Sequence, residues 1–135
     1  MPVYVTDTHP LVWYVANYHR KLSRIALRLF DEAVHERALI YVPAVTLWEI
    51  AGLLKAGRVQ LREPFGQWVA SLLALRGFEL APLDVPVITE SLNLNLALFD
   101  DPFDAAIVAT ARLSDLPLIT KDKRIADTKI VEVAR

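Results

Sequence analysis

Four acidic side chains, Asp7, Glu49, Asp104 and Asp122, carry the strongest chemical signal in this sequence. Carboxylates offer only hard oxygen donors, and they repel one another when crowded. Two of them ~4 Å apart cost each other about 4 kcal/mol at an effective dielectric of ~20. Protons relieve that repulsion by raising some pKa values. A hard divalent cation relieves it while leaving the carboxylates charged. An all-oxygen cluster with room for water suits Mg2+ or Mn2+. Such an ion orients a water, lowers its pKa and stabilises charge on a phosphoryl group.

That chemistry requires acids far apart in the chain to meet, so the elements around them decide the case. Val3-Tyr4-Val5-Thr6 is a β-branched and aromatic run that reads as a buried strand, and Asp7 follows it directly. Asp7-Thr8 offers a cap for a helix over His9 to Asn17. Ser23 can cap a second helix with Ile25, Leu29 and Ala33 on one face. Leu39-Ile40-Tyr41-Val42 is the second strand, and Ala44 to Ala56 a helix stopped at Gly57. Pro64 opens a helix through Trp68, Leu72 and Leu75, ended by Gly77. Phe78-Glu79-Leu80 is a short third strand, and Val85 to Leu94 a helix. Asp101-Pro102-Phe103-Asp104 opens a helix to Leu113 or Ser114, with Pro102 suited to its first position. Leu116 to Thr120 and Lys129 to Val133 complete the strands.

Strands alternating with helices predict an α/β fold, a three-layer α/β/α sandwich on a mainly parallel sheet of about five strands. In a parallel sheet Asp7 and Asp122 then share the carboxyl edge, where open α/β folds bind ligands. The helix holding Asp104 runs back against the strands, so its N-terminus joins that edge. Glu49, about two turns into its helix, belongs nearby. Each acid also has a structural role open to it. Asp7 and Asp101 are good N-caps, Asp104 can serve the helix dipole, and Asp122 can cap a turn. Glu49 differs, because Val45, Thr46, Gly52 and Leu53 at helical spacing provide no basic partner.

The 135 residues are 54% hydrophobic and 23% charged, the composition of one folded domain over residues 1–135. Zero cysteines exclude disulfides and thiolate metal sites and fit a reducing cytoplasm. The start, Met1-Pro2-Val3-Tyr4, has no basic n-region, and no apolar run nears the ~20 residues of a membrane helix. A formal charge of −1 excludes nucleic-acid binding by bulk charge. With the four acids set aside that charge becomes +3, enough to hold phosphates locally, and Lys121 and Lys123 are the expected contacts. His9 is expected to be structural, since a hard cation prefers oxygen. Trp13, Tyr14 and Tyr18 read as core or as a partner surface.

Val5-Thr6-Asp7-Thr8-His9, Trp48-Glu49-Ile50, Asp101-Pro102-Phe103-Asp104-Ala105 and Leu118-Ile119-Thr120-Lys121-Asp122 resemble, in order, the four signature segments of VapC-type PIN-domain ribonucleases. The stretch from Asp101 to Ala111 is the most specific of them. The resemblance implies that Asp7, Glu49, Asp104 and Asp122 bind Mg2+ or Mn2+ and that Thr120 hydrogen-bonds a ligand carboxylate. It implies an endoribonuclease toxin that leaves a 5′-phosphate and a 3′-hydroxyl, forms a homodimer and is blocked by a cognate antitoxin. Relatives often carry basic or His residues before the Asp101 segment, where this chain has Phe99 and Asp100.

The competing expectation is a non-catalytic α/β module that binds RNA or a protein, either a receiver-like protein or a degenerate PIN domain. A receiver would show an acidic pair after the first strand and an Asp after the third. A haloacid-dehalogenase phosphatase would carry Asp at position nine, where His9 stands. A degenerate PIN domain would have lost an acid, and all four are present.

Overall fold

The structure is a computed structural model that describes residues 1–95 and 101–135. Phe99 and Asp100 lie outside the described residues. The strands are β1 (Val3–Thr6), β2 (Leu39–Pro43), β3 (Phe78–Ala81), β4 (Leu118–Ile119) and β5 (Val133–Ala134). They form one sheet in the order β3-β2-β1-β4-β5, with every pair parallel. The helices among the described residues are α1 (Thr8–Val15), α2 (Arg24–Val34), α3 (Ala44–Lys55), α4 (Phe65–Ala74), α5 (Val85–Ser91), α6 (Pro102–Ser114) and α7 (Lys123–Thr128).

The strand order contains the key event for function. The chain lays β2 and β3 on one side of β1, then returns to lay β4 and β5 on the other. The reversal falls between β1 and β4, at the centre of the sheet. Crossovers leave in opposite directions there, and a crevice opens at the carboxyl ends of the two strands.

Alternation along the strands builds two cores. Ile40, Val42 and Ile119 face one side and pack with Leu11, Leu29, Phe30 and Trp68. Val5 and Leu118 face the other and pack with Ile107, Val108, Ala111 and Ile125. Helix α3 joins the two, giving Val45 to one core and Ile50 to the other. The expected three layers are therefore present, with helices covering both faces of a parallel sheet.

Several local expectations need correction. Ile25 is exposed, and the buried stripe of α2 is Ala26, Leu29, Phe30 and Ala33. Spacing by four drifts round a helix of 3.6 residues per turn, so Ile25 falls off the stripe that Leu29 and Ala33 share. Strands β4 and β5 have only two residues each, and β5 begins at Val133 where the expected run ended. Hydrophobic runs there outlast the backbone pairing that defines a strand. Helix α5 ends at Ser91, short of Leu94, and α4 ends at Ala74, before Leu75. Helix α7 and a 3-10 turn at His19–Lys21 went unread as helices because their residues show no apolar periodicity.

Gly77 sets the approach of α2 to β3. A Cβ at this position would lie 1.9 Å from the Ala33 carbonyl oxygen. Backbone has to move to relieve such a clash, so Gly77→Ala is expected to cost about 2–3 kcal/mol, in the range of core overpacking. Thermal unfolding followed by circular dichroism checks this; an unchanged Tm would show that α2 does not pack as described.

Candidate active site

Asp7 stands at the end of β1 and caps α1, because its extended backbone lets Oδ1 accept the Thr8 N–H at 2.8 Å. Its other oxygen crosses the sheet reversal. Thr120, just after β4, donates its hydroxyl to Asp7 Oδ2 at 2.7 Å. The same Thr120 oxygen accepts the Asp122 N–H at 3.0 Å. One buried hydroxyl therefore ties the acid after β1 to the acid after β4.

Glu49 arrives from α3 and is held from below by Thr8, whose buried hydroxyl donates to Oε1 at 2.6 Å. Among the described residues no Lys or Arg forms an ion pair with Glu49. Asp104 lies in the first turn of α6, after the Asp101 cap, whose Oδ1 accepts the N–H groups of Phe103 at 2.8 Å and Asp104 at 3.4 Å. The neighbours of the two acids also touch. Trp48, 66% exposed, meets Phe103 edge to face with ring centroids 5.3 Å apart.

All four acids, with Asp101, line one open cleft of about 320 Å³ at the carboxyl edge of the sheet. Lys121 and Arg124 are its cations, and His9 and Trp13 its rings. Lys121 sits 5.7 Å above the Trp13 ring. Lys123 is exposed on the first turn of α7 and does not line the cleft.

The charges behave as a crowded set. Desolvation, then repulsion from Asp101, Asp7, Glu49 and Asp122, pushes Asp104 up to about 7. Burial raises Asp7 despite the hydrogen bonds from Thr120 and Thr8. Asp122 goes the other way, held low chiefly by hydrogen bonding from the Arg124 side chain. Arg124 Nη2 lies 2.9 Å from Asp122 Oδ2 and 3.4 Å from Asp104 Oδ2.

Sequence reasoning brought Lys121 and Lys123 forward for phosphate but passed over Arg124 as a partner of the acids. The available signal was its place two residues after an N-cap Asp, which folds its side chain back over the cap. Thr8 was also missed as the support of Glu49. That contact joins two segments 41 residues apart and leaves no local mark.

A cation fits this set by its chemistry, since every acidic donor is oxygen and Asp104 is already strained by its neighbours. Among the described residues, no three Asp, Glu or His side chains form a closed ligand group. The ion-paired Arg124 spans two of the four acids instead.

The sequence matches the PIN domain profile over residues 4–131. The chain belongs to the PIN-domain family. It is 29% identical over 126 residues to ribonuclease VapC22 of Mycobacterium tuberculosis, across 93% of this chain and 91% of that protein. Its fold matches VapBC2 of Rickettsia felis, solved with a promoter DNA fragment, at a TM-score of 0.68 and 13% identity, covering 97% of this chain and 96% of that one. VapBC-5 of M. tuberculosis, from a toxin–antitoxin family, matches at 0.60 and 22% identity, over 100% and 99% of the two chains. This PIN domain is thus similar in sequence to a ribonuclease and in fold to chains of VapBC structures.

The elevated Asp104 gives a signed pH prediction. Its folded pKa of about 7 exceeds the ordinary carboxylate value, so folding binds a proton and the ionised form opposes folding. In chelator, stability should fall as pH rises from about 4 to 7; the raised Asp7 adds to the fall, and the lowered Asp122 opposes it only near the acid end, where its unfolded form is still part-protonated. Asp104→Asn should flatten that slope and raise stability at pH 8 by the order of 1 kcal/mol, after discounting for partial solvent access. Urea unfolding at a series of pH values checks it; an unaltered slope would show that Asp104 does not titrate above the ordinary carboxylate range.

Proposed function

We propose that this PIN domain, read as one unit over residues 1–135, is a metal-dependent endoribonuclease and the toxin of a VapBC-type toxin–antitoxin pair. The observation that carries the reading is the meeting of Asp7, Glu49, Asp104 and Asp122 in one cleft at the sheet reversal. The sequence likeness to a named ribonuclease supports the substrate class.

These four acids would hold Mg2+ or Mn2+, whose hard character matches their oxygens. When bound, such an ion activates water and stabilises charge gathering on phosphoryl oxygens. The chain's own groups do the rest. Thr120 fixes Asp7 Oδ2, and Thr8 fixes Glu49 Oε1, so two ligands are oriented in advance. Lys121, steadied over Trp13, neutralises an RNA phosphate at the cleft mouth, and Lys123, exposed on α7 outside the cleft lining, attracts the backbone. Water oxygen attacks phosphorus and the bond to the 3′ oxygen breaks. The products are a 3′-hydroxyl and a 5′-phosphate.

The antitoxin and a homodimer complete the proposal. The fold relatives include toxin–antitoxin complexes. On this chain Val85 and Ile88 of α5, with Leu92 at its C-cap, leave an apolar face exposed, as suits a subunit contact. Among the described residues no helix is long and apolar enough to cross a membrane, and we assign the protein to the cytoplasm, where its RNA substrate is found.

Purified protein incubated with structured RNAs should cleave with Mg2+ or Mn2+ and stop with chelator. Asp7→Asn and Asp104→Asn should each lose more than about a hundredfold in rate, the scale of losing a transition-state charge stabiliser. Circular dichroism shows whether the variants remain folded. Cleavage that persists in chelator, or in both folded variants, would overturn the assignment.

A further inference from the structure

Both oxygens of Asp122 are engaged by Arg124, and the Ile125 backbone N–H adds a further hydrogen bond to the carboxylate. Oδ1 accepts the Arg124 backbone N–H at 2.9 Å and its Nε at 3.3 Å, while Oδ2 accepts Nη2 at 2.9 Å. The same Nη2 reaches Asp104 Oδ2 at 3.4 Å. Among the described residues, Arg124 is the only Lys or Arg ion-paired with any of the four acids. A guanidinium stays charged at every physiological pH, so its claim on these oxygens does not fade by titration. Its backbone is pinned by the cap, and its side chain is 62% exposed.

We propose that Arg124 is a tethered counter-ion that competes with the divalent cation for Asp104 and Asp122, and so sets how tightly the protein takes up its metal. The proposal rests on the reading of these acids as metal ligands. A cation held by Asp122 and Asp104 would meet a guanidinium already paired with both carboxylates. The tether keeps the competitor at constant high local concentration, whatever the protein concentration. Uptake of a cation by Asp104 and Asp122 would therefore have to displace the guanidinium from these carboxylates.

Titration of MnCl2 into the full chain, with free Mn2+ read by electron paramagnetic resonance, tests this without RNA cleavage. Arg124→Gln should bind Mn2+ about fivefold more tightly than the parent, a factor scaled to a partly exposed ion pair. Arg124→Lys should fall nearer the parent, since it keeps the charge but loses the fork. Arg124→Met replaces the Gln variant if the latter does not fold. Equal or weaker binding by the uncharged variant, with Mn2+ still bound by the parent and lost in Asp104→Asn, would overturn the counter-ion proposal and leave the metal reading standing. No specific Mn2+ binding by any form would overturn the metal reading, and this proposal with it.

Discussion

A single hydroxyl holds this site together. Thr120 lies between Asp7 and Asp122, donating to one and accepting from the other's backbone, at the point where the sheet order reverses. The reversal leaves β1 and β4 adjacent, with their next elements departing to opposite sides. Two acids at such a split would part unless something bridged them. The bridge is buried and charge-assisted, so leaving Asp7 without it would cost more than an ordinary hydrogen bond.

The second constraint is electrostatic. Folding takes carboxylates out of water and, at Asp104 above all, sets them beside other acids; the cost shows in the raised carboxyls of Asp7 and Asp104. The hydrophobic cores on both faces supply the stabilisation that tolerates it. Function and stability therefore pull in opposite directions at this edge, a common arrangement at functional sites.

Much of this was legible in the sequence because it is encoded locally. The β-branched run before Asp7, the Asp101-Pro102 start of α6 and the Gly57 stop of α3 are short-range patterns, and each produced the expected element. The parallel α/β order then put the acids on one edge by topology. Contacts between distant segments were not legible. Nothing near Glu49 announces Thr8, and nothing in the Lys121-Asp122-Lys123-Arg124 run says which cation folds back onto the acid. The short edge strands escaped for another reason: side-chain pattern reports burial, while strand length depends on a neighbour's backbone.

The Trp48–Phe103 contact has a mechanical consequence. Each ring sits one residue from an acid, Trp48 before Glu49 on α3 and Phe103 before Asp104 on α6. The rings act as a spacer between the two helices, independent of ionisation. The jaw that carries these acids thus keeps its opening by van der Waals contact, whether its charges are met by protons, by an arginine or by a metal.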